Sequence, residues 1–560
     1  MDLIRFPSIA TVEVIMNQGN DEKFLEPRTL GAIVLMGALF FGWQTWLKHK
    51  YPELNNPKAA VEQTKANSPE TKPTEAKATE ATVASATTAE AAPLAPTTSA
   101  VEKLTTVDEP TFSFEISSHG MGLKNFILKN HFDREKKPMA LGVGSPEGLF
   151  ATGLVGSRKA PEFTVTKKSD TTYVGVANWN GTQITREIEI DAQNGALKNK
   201  ITVEKPTADF KGLTLSIAEH RMNIEAGHLL LPNYEHQEFV VRHNDKNERI
   251  NSTSSKEKVD KTFTDISMAA VGSQYFTTAI IDHSDVAPEV SLFGGKDADL
   301  LVANLAYKPL SLKDNMQFQF VAYAGAKSYT QMEKIDAELP GTIDFGFFTA
   351  IAKILLFILQ WLHMYVGNWG WAIVIMTLLV RMLVLPLNMS TFKSSRKMQK
   401  LQPMVKSLKE RYKDDSQALN QEMMKLWKEN GVNPVGGCLP MLLQLPIFFA
   451  YYRVLGQSIE LYQAPFMFWI HDLSLKDPYF VLPILMGVAM WMQQKLTPTA
   501  MDPNQAKIMQ FLPVVFSFMM ISLPSGLTLY IFVNTITGVL TQKLIVQDRS
   551  NTVSAKEVKA

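Results

Sequence analysis

One arginine, Arg381, stands well inside the near-continuous apolar run from Trp369 to Leu387. At about 1.5 Å per helical residue, its Cα lies roughly 9 Å from the apolar end, which a snorkelling side chain nearly covers. An ionisable group at that depth is costly, and it usually faces a bundle interior or a wet cavity along a functional path. A snorkelling or topology-setting arginine is the alternative. Thr377, Gln444, Ser517, Ser522, Thr528 and Asn534 add hydrogen-bonding groups within neighbouring apolar runs. There they either glue helices together or, with Arg381, line a water-containing groove. Cys438 is the only cysteine, so neither an intrachain disulfide nor a cysteine zinc site exists. His220, His228, His236, His243 and His283 are scattered without metal-ligand spacing, and the Asp and Ser residues near them form no recognisable triad.

These residues need elements to hold them. At 560 residues the chain exceeds one domain, and its near-zero mean hydropathy with 46% hydrophobic residues conceals a division. Runs long enough for helical spans occur near Leu30 to Leu47 and from Phe345 onward, and the stretch between reads as water-soluble. The net charge of +1 gives no reason to expect a nucleic-acid partner.

Residues 1–29 precede a first transmembrane helix at 30–47, which reads as a retained signal anchor because no small-x-small cleavage site follows it. Residues 48–106, rich in Ala, Thr, Glu, Pro and Lys, form a disordered tether with little to bury. Residues 107–340 switch to period two, as in Phe112-x-Phe114-x-Ile116, Ile184 to Ile190, Ile201-x-Val203 and Phe318-x-Phe320, which predicts an antiparallel β-sandwich. Asn180-Gly181 and Asn194-Gly195 are expected to supply the positive φ angles of tight hairpin turns. Residues 341–366 carry Lys353, Gln360, His363 and several aromatics, so an interfacial amphipathic helix is preferred to a span.

The arginine-bearing transmembrane helix covers 367–388. Residues 389–436 form a helical hairpin broken at Asp414-Asp415-Ser416. Between Thr391 and Asn430 it carries ten Lys and Arg, which places it in the cytoplasm by the positive-inside rule. Those charges are either a solvated face or a docking surface for ribosomes or partners. Further transmembrane helices follow at 437–457, 479–496, 508–524 and 525–546. They are separated by a periplasmic loop at 458–478 (Glu460, Asp472 and Asp477 against Lys476) and a cytoplasmic loop at 497–507, and residues 547–560 form a cytoplasmic tail. Two of these apolar runs are shorter than the roughly twenty residues a bilayer needs, a mismatch met by thinning or by tucking against neighbours.

The segments Val366-Gly-Asn-Trp-Gly370, Arg381 with Pro386, Asn433-Pro-Val-Gly-Gly-Cys-Leu-Pro440, Gln463-Ala-Pro-Phe466, Trp469-Ile-His-Asp-Leu-Ser474 with Asp477-Pro478, Asp502-Pro503, and Pro524-Ser-Gly-Leu-Thr-Leu-Tyr530 resemble, in order and spacing, the YidC insertase family in its Gram-negative form. The resemblance is strong from about Asp344 to Leu544, and Gln274-Tyr-Phe-x-Thr-Ala279 is the best local match in the soluble insert. It implies a multi-domain membrane protein: a five-span α-helical insertase core plus one N-terminal span, an all-β periplasmic β-supersandwich and a cytoplasmic helical hairpin. It also implies a polar groove, open to cytoplasm and lipid and closed on the outer side, in which Arg381 attracts acidic residues of an inserting tail. Apolar substrate segments would slide past Thr377 and Tyr530. A fixed cation in a partly dehydrated cavity acts at lower effective dielectric than in water, so no covalent chemistry is needed.

The function this implies is that of an inner-membrane insertase and chaperone, not an enzyme, with Arg381, Thr377, Gln444, Tyr530 and Asn534 as the substrate groove and no cofactor or metal. Its expected partners are nascent membrane proteins, the Sec translocon with its accessory subunits, the ribosome at the hairpin, and lipids. Both termini are expected in the cytoplasm. A transporter or channel is a rival, although no internal repeat is evident. A membrane-anchored periplasmic sugar-binding protein is another, although no convergent carboxylates or histidines stand out and the membrane half would go unexplained.

Overall fold

The computed structural model describes residues 101–222, 235–252, 258–294, 298–309, 311–413, 415–430, 439–496, 511 and 513–557. The expected first span, the segment before it, most of the tether, His228, Cys438 and Asp502-Pro503 lie outside these residues.

Alternating strands build three antiparallel sheets. The largest has nine strands, with Asn315–Ala326, Ala196–Glu204 and Thr182–Asp191 side by side. Phe318 pairs with Ile201, and Ile184 with Val203, so one face of the pleat collects buried apolar side chains while Gln317 and Gln319 face out. Five- and four-stranded sheets supply the rest of that core. Arg186 stands in the inward row, fully buried. Its guanidinium donates to Asn199 Oδ1 (2.8 Å) and to the carbonyls of Phe150 (2.8 Å), Gly120 and Met121 (3.2 Å each). It therefore ties several chain segments together with no carboxylate among those partners.

Two expectations change at the edges of this domain. The first strand begins at Leu104 and pairs along Phe112–Ser117, so the tether ends before residue 106. Asn180 and Gly181 have φ of 51° and 87°, as a two-residue hairpin turn requires. Asn194 does not take a positive φ. Instead Asp191 Oδ1 accepts from the amides of Gln193 and Asn194, and Gly195 alone turns left-handed, at 74°.

The helices follow the sheets: α1 (Tyr329–Ile335), α2 (Thr349–Val366), α3 (Trp369–Arg411), α4 (Ser416–Glu429), α5 (Leu439–Gln457), α6 (Val481–Leu496), α7 (Pro513–Ser522) and α8 (Ser525–Glu557). Residues 341–348, expected to open the interfacial helix, form a connector in which Ile343 and Phe345 are buried against the sheet face. One apolar core continues from that face (Val240, Met268, Ile281) through α1 and the connector into α2, α3, α5 and α8. Asp344 in the connector accepts from Arg453 on α5 at 2.6 Å. Burial pushes its carboxyl up, but neighbouring Arg249 and Arg453 outweigh that and hold it below the usual range.

α2 carries an exposed apolar stripe (Ile354, Phe357, Trp361, Met364, Tyr365), and its Lys353 and Gln360 are partnered. The Lys353 ammonium lies 5.0 Å from the centre of the Tyr329 ring, and Gln360 bonds Thr330 and Glu460. The helix stops at Gly367, whose φ of 68° forms the left-handed cap, and Asn368 starts α3 by accepting from Trp371 N. α2 and the first eighteen residues of α3 are long and apolar enough to cross a membrane. α3 passes the expected boundary at 388 without a break, through Pro386 and Pro403, and α8 likewise passes 546. The break between α3 and α4 falls as expected, with Asp415 capping α4 through the amides of Gln417 and Ala418.

Candidate functional site

Helical spacing explains how the polar residues converge. On α3, Thr377, Val380, Arg381 and Val384 fall on one stripe; α5 contributes Gln444 and Ile447, one turn apart; α8 contributes Tyr530 and Asn534. Together these eight line a narrow cavity of ≈ 20 Å³, room for about one water molecule. All five residues singled out from the sequence are therefore among its lining.

Burial grades along the cavity. Thr377 and Tyr530 are buried, whereas Arg381, Gln444 and Asn534, about one turn along, are half-buried. At the closed end the Tyr530 ring stacks on Tyr451 with centroids 4.2 Å apart and planes at 10°. Beyond that pair the Gly526 amide donates to Leu473 O at 2.9 Å, and a Cβ at Gly526 would stand 3.5 Å from Ile373 and 3.6 Å from Leu461, so this layer is closely packed.

Arg381 Nη2 donates to the backbone carbonyl of Asn534 at 2.6 Å. Its Nε is buried with no hydrogen-bond partner, and among the described residues no carboxylate pairs with it. A half-buried guanidinium with one buried, unspent donor and no counterion has a free energy deficit that a carboxylate would relieve. The Thr377 hydroxyl donates to Ile373 O at 2.7 Å. The lining holds no nucleophile with a base, and no metal-binding group of His, Cys, Asp or Glu occurs among the described residues.

Of the other polar candidates, Ser517 joins two helices, while Ser522 and Thr528 satisfy backbone of their own segments. Ser517 on α7 donates to Pro483 O on α6 at 2.6 Å, while Ser522 and Thr528 bond carbonyls three and four residues back. Two neighbours escaped sequence reasoning. Tyr451 reads as an ordinary apolar-run aromatic, and Gly538 as a helix glycine. A Cβ at Gly538 would stand 3.3 Å from Arg381 Nη2 and 3.0 Å from Gln493 Nε2. Its position four residues after Asn534 was the available signal. In the β-domain, His283 meets Asp336 at 3.0 Å, His243 lies 3.5 Å from Glu248 and His236 lies 3.8 Å from Glu238, each a separate surface or junction contact.

The loop between α5 and α6 differs from its charge-count reading. Glu460 accepts from Gln360, and burial pushes its carboxyl up. Asp472 accepts from Gln463 N and from Ser474 N and Oγ; Asp477, 1% exposed, accepts from Trp469 Nε1, Tyr479 N and Leu482 N. All three carboxylates are thus internal acceptors and do not form an acidic outer surface.

Two family models match this chain: "60Kd inner membrane protein" over residues 361–552 and "YidC periplasmic domain" over residues 104–358. A protein named Membrane protein insertase YidC from Campylobacter jejuni is 46% identical over 299 residues, 53% of this chain and 54% of the relative. One of the same name from Francisella philomiragia is 48% identical over 242 residues, 43% of this chain and 44% of the relative. The chain thus spans about half the length of the curated relatives it matches. A crystal structure titled as an active YidC insertase with its first transmembrane domain resolved aligns with 79% of this chain and 92% of its own, at 19% identity and a TM-score of 0.35.

Proposed function

We propose that this chain, which belongs to the YidC family, is a non-enzymatic insertase that places membrane proteins in the inner membrane and helps them fold. The observation that carries this is Arg381: a guanidinium among three apolar helices, anchored on one nitrogen, unpartnered on another, beside a cavity that grades from half-buried to buried. A carboxylate in the translocating tail of a substrate pairs with it briefly, while apolar segments pass along the Thr377 and Tyr530 side. The close packing of Tyr451, Tyr530 and the Gly526 layer keeps the cavity from becoming a pore, which favours this reading over a channel.

In this reading α3, α5, α6, α7 and α8 are the five core spans, with the first span before them and the β-domain in the periplasm. α2 lies at the membrane surface. Its Lys353 and Gln360 are held by the β-domain and outer loop while one apolar stripe stays exposed, a distribution that suits an interfacial helix better than a span. The basic α3–α4 hairpin faces the cytoplasm and is the docking surface for ribosomes and the Sec translocon, with both termini on that side.

The test is reconstitution of the purified protein in liposomes with a single-span substrate bearing an acidic N-terminal tail. Protease protection of that tail well above empty liposomes is expected. No protection above empty liposomes, with another insertase active in the same assay, would overturn the reading.

A further inference from the structure

The exposed surface of the loop between α5 and α6 is not that of a water-bathed loop. With its carboxylates turned inward, it presents Phe468 (77% exposed), Leu475, Tyr479 (68% exposed) and Phe480, together with the basic residues Lys476 and His471. Phe468 and Phe480 hold left-handed backbone, at φ of 54° and 57°, and still point outward. The indole N–H of Trp469, next to Phe468, is spent on Asp477, so this apolar surface is bound from within.

Two further observations name the occupant. The patch continues into the exposed apolar face of α6 (Ile484, Leu485, Val488), so whatever solvates that face reaches the loop as well. In addition, α6 has sixteen residues, about 24 Å of helix against a hydrocarbon core of about 30 Å, so its ends are drawn toward the bilayer. Aromatic rings beside a cation, without exposed carboxylates, are the composition of a membrane–water boundary with anionic headgroups.

We propose that this loop is an anchoring wedge in the lipid surface on the β-domain side, with Phe468, Leu475, Tyr479 and Phe480 at the headgroup–acyl boundary and Lys476 on anionic headgroups. This goes beyond the insertase reading and does not depend on Arg381.

The test uses the full chain with Cys438→Ser, the environment-sensitive fluorophore NBD on Phe468→Cys or Tyr479→Cys, and vesicles of phosphatidylethanolamine with or without phosphatidylglycerol. Asp170→Cys, on the exposed β-domain surface, is the water reference, and Val488→Cys the hydrocarbon reference. Labels at 468 and 479 are expected to be blue-shifted and quenched several-fold more than the label at 170 by nitroxides placed high on the acyl chain, with deep nitroxides favouring 488. Lys476→Glu is expected to reduce that quenching only when phosphatidylglycerol is present. Labels at 468 and 479 that iodide quenches as strongly as the label at 170 would overturn the wedge and leave the patch to a protein partner absent from the vesicles. An unchanged response to Lys476→Glu would overturn the headgroup contact.

Discussion

The guanidinium of Arg381 on α3 is held by the backbone carbonyl of Asn534 on α8, at 2.6 Å, and not by any side chain that sequence inspection would pair with it. Gly538 makes this possible: one turn further along α8, a Cβ there would stand 3.3 Å from the same nitrogen. The cation is therefore fixed to helix backbone, which no side-chain substitution at Asn534 removes.

Gly538→Val is expected to push the guanidinium off that carbonyl and to lower insertion of acidic-tailed substrates by about tenfold, the worth of one charge-assisted hydrogen bond. Insertion of a neutral-tailed substrate should change little, and Asn534→Ala should keep the arginine anchored. Parallel protease-protection assays with the two tails decide it; equal losses would make the glycine a packing residue only.

Tyr462 ties the outer loop to the β-domain: its hydroxyl donates to Phe132 O at 2.9 Å and its ring meets Phe276 edge-on at 5.4 Å. The cavity is built wholly by α3, α5 and α8. Tyr462→Ala should therefore speed proteolysis of the loop while lowering insertion by less than about twofold, since sites without shared partners act independently. A collapse of insertion would place the β-domain inside the mechanism.

Arg186→Met should destabilise the β-domain by roughly 3 kcal/mol or more, because it leaves Asn199 and several buried carbonyls without their donor. Burial lowers this guanidinium to about 9, so it is held by those acceptors and not by a counter-charge. Thermal unfolding of the β-domain in the detergent-solubilised protein is the measurement; an unchanged midpoint would contradict it.

Burial pushes the Glu219 carboxyl up to about 7 from 4.5, outweighing the opposite effects of the Gly142 amide, which donates to Oε2, and of the Thr278 hydroxyl. Between those values the folded state binds more protons than the unfolded one. The contribution to stability is complete below the unfolded value and lost as pH rises through about 7. Asp282, pushed up to about 6 by burial, acts in the same direction. The β-domain should melt lower at about pH 8 than at about pH 5, by up to a few kcal/mol from Glu219, and Glu219→Gln should flatten part of that slope. A slope unchanged in the variant would assign it elsewhere.

Much of this was legible in residue order. Alternation revealed the strands, Arg381 drew attention by depth alone, and its stripe-mate Thr377 follows from helical spacing. Gln444 and Asn534 stood out as polar groups in apolar runs, whereas Tyr530 came from family resemblance. What escaped depends on which helix faces which. Gly538 shares a helix face with Asn534, four residues before it, but its closeness to Arg381, like the stacking of Tyr451 on Tyr530, is visible only once α8 is laid against α3 and α5. Asp472 and Asp477 count as outer charges until their partners, the loop's own amides and an indole, are visible. Asn194 looked like a hairpin asparagine because the nearby Asp191 could not be seen to capture its amide.

The central claim is that Arg381 acts as a fixed positive charge toward a passing carboxylate. The measurement that tests it most directly is a charge exchange in proteoliposomes, pairing Arg, Lys, Ala and Glu at position 381 with acidic, neutral and basic substrate tails and scoring tail protection. Insertion of the acidic tail is expected to fall in the order Arg, Lys, Ala, Glu, with Lys retaining much of the activity and the neutral tail nearly indifferent. Losses that are the same for every tail, whatever the charge at 381, would contradict the account and make the arginine structural.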